Sequence, residues 1–322
     1  MTTQVESAPT AHHPQPPGGR RRRRRRRSNA ATFWLFVGPF VVGMVLFSYV
    51  PIIWSLVLSF FDAQGTVTPS VFVGVRNYTD LLTDSAFTGS LVTFSLFALF
   101  IVPLTFLLSL ALALLVNQVT VARAFFRSVF FLPTACSYVV AAAIFKLSLF
   151  AGDPTGLANQ TLIKVGHDSI NYLGTTSPPW YWLPLVSVRL WLQLGFFMIL
   201  FLAGLQRIPQ ELYEAAEVDG ARRGWQTFRY ITFPQLRATS LAVLLLLLIN
   251  AYQAFDEFYN MLGGCGTYPP YARPPLVYLY YTALGQTQDY GRGSAGALIL
   301  AAIIMIVTVT QGKIFGFGRA GD

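Results

Sequence analysis

Along the 322 residues, apolar positions gather into six long runs separated by polar connections. The runs cover roughly 33–61, 88–116, 125–149, 181–205, 238–262 and 294–317. At ~1.5 Å of rise per residue, about 20 apolar residues cross the ~30 Å hydrocarbon core of a bilayer, and each run is long enough to do so. The pattern predicts an all-α integral membrane protein with six transmembrane helices. Pro51 predicts a kink in the first. That first run follows an arginine-rich region, as the core of a secretory signal would. It is too long for one, and its end, FFDAQG, offers no small-residue cleavage site, so it is read as a retained helix.

The polar connections orient the spans. The N-terminal tail, the 117–128 and 206–237 connections and the C-terminus together hold seventeen Lys and Arg, against four in the 62–87, 150–180 and 263–293 connections. An excess of basic residues marks the cytoplasmic side, so both termini are expected in the cytoplasm of a multi-pass protein of the cell (inner or plasma) membrane. The three opposite connections are long enough for short helices, and GGCGTYPPYARPP reads as irregular.

Composition sharpens this picture. The chain is 54% hydrophobic and 11% charged, where soluble domains carry about a quarter charged residues. Its net charge of +9 comes almost entirely from the eight arginines Arg20–Arg27. Beside an apolar span such a run suits anionic lipid headgroups, at about 1 kcal/mol per charge, better than nucleic acid. Membrane lipids are therefore expected partners and nucleic acid is not. The tail lacks apolar periodicity, which predicts disorder up to Asn29 and a boundary between a 1–30 tail and a 31–322 membrane domain. Cys136 and Cys265 sit in unlike surroundings and the three histidines do not cluster, so neither a disulfide framework nor a metal site is expected.

One connection stands apart. EAAEVDGARRGWQTFRYITFP, Glu214 to Pro234, is a mixed-charge, helix-forming island between two apolar spans. Pro209 near a helix start, acids in the first turns and Gly220 as a stop predict one short helix. Leu212, Ala215 and Ala216 share a face that another protein can approach closely. Trp225, Phe228 and the YITF run would give a second helix its apolar side. A solvated loop held by its own ion pairs fits the composition equally well.

The spacing of EAA, three residues and G, with I-x-F-P further on, resembles the EAA loop of the inner-membrane permeases of ABC importers. LAGLQRIPQELYEAAEVDGA, Leu202 to Ala221, is similar to the carbohydrate-uptake branch. So are YVPIIWSLVLSFFD with FVGVRNYTDLL, RAFFRSVFFLPTACSYVVAAAIFK, FDEFYNMLGG and DYGRGSAGALIL, which look closest to the first of the two paired permeases of the maltose and glycerol-3-phosphate type. The resemblance implies a type I ABC importer permease architecture with a cytoplasmic coupling-helix loop at about 206–237. It implies that Glu214, Ala215, Ala216, Asp219 and Gly220 couple to an ATPase, with Glu214 approaching a basic residue there and Gly220 allowing the bend. It further implies a second homologous permease subunit, a cytoplasmic ATPase dimer carrying ATP and Mg, and an extracytoplasmic solute-binding protein. Ten residues separate Gly220 from Ile231 where the family pattern has nine, which leaves the register after the bend open.

The chain lacks G-x-x-x-x-G-K-[ST]; GQTQDYGRGS has neither the spacing nor the Lys, so no cofactor is expected on this chain and ATP hydrolysis belongs to another polypeptide. Polar groups at membrane depth are candidates for a solute path. On a straight fifth helix Asn250 lies near the midplane, with Gln253 and Glu257 following on its face toward the outside. Trp191 and Gln193 lie at similar depth in the fourth span. Amides pair with hydroxyls and an indole packs on a sugar ring, so this set suits a sugar or oligosaccharide moved by alternating access. Asn and Gln also serve merely to bond a neighbouring helix. Arg189 pairs with an acid or serves an anionic solute such as a sugar phosphate, and Lys146 snorkels. From another class, an integral membrane enzyme acting on a lipid-linked substrate would use Asp256 and Glu257 as acid and base. Adjacent helical residues point about 100° apart, and no nucleophile motif accompanies them.

Overall fold

The computed structural model describes residues 20–221, 224–263, 272–285 and 288–315, with backbone alone at 20–29 and 314–315. The chain divides into two compact units at Ser55–Leu56. The first holds α1 (Arg20–Met44), a π-helical turn (Val45–Tyr49) and the start of α2 (Val50–Leu58). α1 begins inside the stretch for which disorder was expected up to Asn29; arginine has high helix propensity, and the run adjoins an apolar helix. The π turn closes through the Val50 N–H to the Val45 carbonyl, immediately before Pro51. Proline has no N–H to continue the α ladder, so the irregularity predicted at Pro51 falls in the preceding turn.

The second unit opens with a small antiparallel hairpin, β1 (Phe61–Asp62) with β2 (Val71–Phe72), pairing Phe61 with Phe72. α3 (Arg76–Thr83) leads into α4 (Ser85–Gln118), whose N-cap Asp84 accepts the Ala86 N–H at 2.8 Å. The same carboxylate accepts Tyr278 Oη and Arg292 Nη2, each at 2.6 Å, so one cap ties together three stretches of chain.

The third apolar run departs from expectation. Instead of one straight span over 125–149 there are α5 (Arg123–Phe131), a 3₁₀ turn (Leu132–Ala135), and α6 (Tyr138–Ile144) with a π turn (Phe145–Leu149). The two arms meet at 95°. Pro133 cannot continue the ladder, and Ser137 Oγ takes the Val139 N–H, starting a new helix instead of extending the old one.

α7 (Leu157–Lys164) lies in the next connection. α8 (Trp182–Leu205) is the fourth span and packs along α4 at the centre of the bundle. Gly195 lets α5 reach it, because a Cβ there would stand 1.9 Å from the Phe130 carbonyl oxygen. α9 (Gln210–Val218), α10 (Trp225–Thr227), a π turn (Phe228–Thr232) and α11 (Phe233–Gln235) form the connection to the fifth span.

That span is α12 (Arg237–Tyr252) and α13 (Asp256–Leu262), with residues 253–255 non-helical between them. α14 (Pro275–Leu284) and α15 (Tyr290–Phe315) complete the described fold. Among the described residues five helical segments are long and apolar enough to cross a membrane, and the bent α5–α6 pair makes six. Between α4, α8 and α13 the core is aromatic, with Phe97 stacked on Trp182 at 5.1 Å and edge-on to Phe258 at 5.5 Å.

Candidate functional site

Two regions gather the residues singled out by the sequence. The first is the α9–α11 connection. α9 ends in a paired closure: Gly220 N–H bonds to the Glu217 carbonyl at 3.1 Å and Ala221 N–H to the Ala216 carbonyl at 2.9 Å. This Schellman arrangement needs a left-handed residue just past the cap, and Gly220 adopts φ +83°. Glu214, Ala215 and Asp219 are exposed and Ala216 is half-buried, while Leu212 and Trp225 add exposed apolar surface. Tyr213 Oη lies 3.1 Å from Thr232 Oγ1, which ties α9 to the second arm.

That second arm is stiffened by Trp225–Phe228 and Phe228–Phe233 ring contacts at 5.6 and 5.9 Å. Its π turn closes from the Phe233 N–H to the Phe228 carbonyl. A π turn is what one extra residue makes of an α-helix. The π turn lets the arm continue as helix to Gln235.

The second region lies where α6, α8 and α12 converge. A cavity of about 240 Å³ is lined by Thr134, Cys136, Tyr138, Gln193, Phe196 and Asn250, among others. Gln193 Nε2 donates to Tyr138 Oη at 2.9 Å, and Thr134 Oγ1 donates to the Leu192 carbonyl at 3.2 Å. Asn250 donates to the Leu246 carbonyl at 2.9 Å. The structure therefore brings two of the five expected path residues, Gln193 and Asn250, to one cavity.

The other three stand elsewhere. Trp191 is 41% exposed, packs against Phe145 with ring centres 5.6 Å apart, and lines a separate apolar cavity with Leu108, Val129 and Pro133. Two helical steps turn a side chain by about 200°, so Trp191 and Gln193 face opposite ways. Gln253 is exposed at the α12 terminus. Glu257 is 2% exposed and forms an ion pair with Arg189, itself 2% exposed. Asn250 and Gln253 are exposed whereas Glu257 is buried against Arg189, so the three expected to share a face stand in different surroundings.

The break at 253–255 explains the ion pair. Ending α12 leaves carbonyls without helical partners, and Arg189 Nη2 takes that of Asn250 at 2.6 Å. Starting α13 presents unbonded N–H groups, and Glu257 stands in that first turn. Cation and anion thus each occupy the helix end whose dipole favours them. With Glu257 committed to Arg189 and Asp256 exposed, the two do not form an acid–base pair. Lys146 Nζ reaches the Asn260 carbonyl at 3.5 Å.

Sequence reasoning missed Thr134, Cys136 and Tyr138 as lining residues. Their signal was present in Pro133 and Ser137: non-helical backbone at membrane depth occurs where it is buried in protein or lines a cavity.

Residues 28–315 match the family of binding-protein-dependent transport system inner membrane components. The arabinooligosaccharides transport system permease protein AraP of Halalkalibacterium halodurans is 32% identical, over 90% of this chain and 89% of its own. The trehalose/maltose transport system permease protein MalF of Thermococcus litoralis is 30% identical, over 89% and 94% respectively. A crystallised bacterial ABC transporter involved in the import of the acidic polysaccharide alginate superposes with a TM-score of 0.77, covering 92% of this chain and 99% of its own at 23% identity, a likeness of fold.

Proposed function

The chain belongs to the binding-protein-dependent transport system inner membrane components, and on that premise we propose that it carries a sugar or oligosaccharide into the cytoplasm. It is a multi-pass membrane permease. The relatives at 30–32% identity are named for arabinooligosaccharides and for trehalose and maltose, which supports a carbohydrate cargo. The observation that carries the mechanism is the exposed α9 helix, closed by Gly220 and tied through Tyr213 to the arm that runs into the fifth span.

In this reading the 206–237 connection faces the cytoplasm, both termini lie on that side, and an ATPase dimer receives Glu214, Ala215, Ala216, Asp219 and Gly220. ATP and Mg bind to that ATPase. A second permease completes the pathway, and a solute-binding protein delivers cargo from outside. Movement of α9 passes through the Tyr213–Thr232 contact and α11 to α12, which carries Asn250 into the cavity wall. Two states that the ATPase binds unequally are sufficient for alternating access. Inside, the Tyr138 hydroxyl, the Gln193 amide and the Asn250 amide offer donors and acceptors suited to sugar hydroxyls.

The test is to purify the chain with its co-expressed ATPase and compare wild type with Glu214→Lys. Retention and solute-stimulated ATP turnover by wild type, with loss of either in the variant, is the expected result. Equal behaviour of the two removes the docking role from α9.

A further inference from the structure

Arg189 is the feature of the membrane interior that the transport reading has not absorbed. A buried arginine bonded to Asn250, a residue of the cavity wall, would by itself attract an anionic solute. Its surroundings cancel that charge. Nη1 is bonded to Glu257, Nη2 to the Asn250 carbonyl, and Nε has no hydrogen-bond partner. Asn250 lines the cavity, Gln193 stands one helical turn along α8 from Arg189, and Tyr138 is hydrogen-bonded to Gln193. The other charged groups nearby are Asp256, exposed in the first turn of α13, and Lys146 at the Asn260 carbonyl. These two also oppose each other in sign, so among the described residues the balance around the cavity rests on the pairing of Glu257 with Arg189.

We propose that Glu257 sets the charge class of the solute: by neutralising Arg189 it makes the Thr134–Asn250 cavity take uncharged, hydroxyl-rich solutes and refuse anionic ones. This deepens the carbohydrate reading and rests on it. The physical reason is that an anion entering a water-poor site loses hydration and finds no net positive charge in return. A sugar hydroxyl loses less and recovers it from the Tyr138, Gln193 and Asn250 groups. Removing the Glu257 charge would leave a buried guanidinium with a free arm beside the cavity, which turns the same site toward carboxylate or phosphate.

Cys136 lines this cavity and serves as a reporter that requires neither sugar nor ATPase. With Cys265→Ser as background, the full chain in membranes is treated with three methanethiosulfonates: the neutral methyl reagent, the anionic sulfonatoethyl reagent and the cationic trimethylammonioethyl reagent. Rates are normalised to those with a free thiol, and the neutral reagent sets the steric baseline. In wild type the anionic reagent is expected to react more slowly than the neutral one. In Glu257→Gln the anionic-to-neutral ratio should rise roughly tenfold, the size of one charge felt through a protein interior at about 10 Å. Arg189→Gln, made alongside, should lower that ratio and raise the cationic one, and Glu257→Gln carries the test where Arg189→Gln does not fold. Restoring neutrality in Arg189→Gln/Glu257→Gln should bring both ratios back to wild type.

Unchanged ratios in the single variants would overturn the proposal. So would a wild-type Cys136 that none of the reagents modifies, since the cavity would then be closed to dissolved solutes. Because the readout contains no sugar, loss of sugar uptake in a transport assay with normal thiol ratios would count against the carbohydrate reading and leave the charge balance standing.

Discussion

The α9–α11 connection and the α12–α13 break are both interruptions of helix, yet they are held in opposite ways. At Gly220 the chain turns through hydrogen bonds between residues three to five apart, and most of the side chains are exposed. At 253–255 the helix ends need Arg189, a residue 68 positions away from Glu257, and the partners are buried. The first interruption is a self-contained surface with its outer face available to another protein. The second is a junction whose stability and charge depend on three helices staying together. Coupling and solute selection, on the proposed reading, are assigned to these two kinds of joint.

Removing Arg189 is the strongest way to break the comparison. Arg189→Leu strands a buried Glu257 carboxylate and the Asn250 carbonyl, at a cost of about 3–5 kcal/mol. The expected result is a large drop in thermal-unfolding midpoint of the detergent-purified chain and loss of monodisperse protein. Arg189→Leu/Glu257→Leu should recover much of it, since replacing both members of a buried pair by apolar groups is often neutral or stabilising. If the single variant is as stable as wild type, the pair does not hold the α12–α13 junction.

How legible each region was follows from the same contrast. The six spans could be read because a bilayer demands length and apolarity, both local properties. The Gly220 turn could be read because its closure involves only Ala216 to Ala221, and Gly at the left-handed position is a direct consequence of lacking a Cβ. The break at 253–255 could not, because QAF contains neither proline nor glycine. Its signal is the match of Arg189 with Glu257 across 68 residues, which no local pattern carries. The 95° bend at Pro133 was half legible: the proline was visible, but Ser137 as the cap that starts α6 was not weighed with it. Reading the fifth span as straight placed Glu257 on the solute path, whereas the structure commits its carboxylate to Arg189.

Asp84 sharpens the comparison as an intermediate case, partly exposed and shared by α4, Tyr278 and Arg292. Partial burial pushes its carboxyl up, and the Tyr278 hydroxyl, the Ala86 N–H and the Arg292 guanidinium outweigh that and hold it below its ordinary value. A depressed folded value means the ionised form stabilises the fold. This contribution is complete above the unfolded value of about 3.9 and is lost as pH falls through the lower, folded one. Asp84→Asn should therefore lower the melting midpoint at neutral pH by an amount matching about 1–3 kcal/mol, with the gap from wild type closing toward acid pH. A gap that is flat with pH would mean the carboxylate charge contributes nothing.

The smallest expected effect on stability falls on the joint to which the proposed reading assigns coupling. A Cβ on Gly220 would meet nothing within 4 Å, so Gly220→Ala introduces no clash and suffers only from φ +83°. That costs about 1–2 kcal/mol in the left-handed region. α9 is exposed, so the penalty is relieved by fraying its last turn, where Ala216 and Glu217 lose the bonds from Ala221 and Gly220. The melting midpoint of the bundle should barely move. Solute-stimulated ATP turnover of the assembled transporter should fall several-fold, because a frayed α9 end no longer holds Glu214 and Asp219 in fixed relation. Gly220→Asn, a side chain that tolerates the left-handed region better, should restore part of it. A Gly220→Ala variant that unfolds the bundle would show that this turn is tied into the core after all. One that transports normally would show that its closure plays no part in coupling.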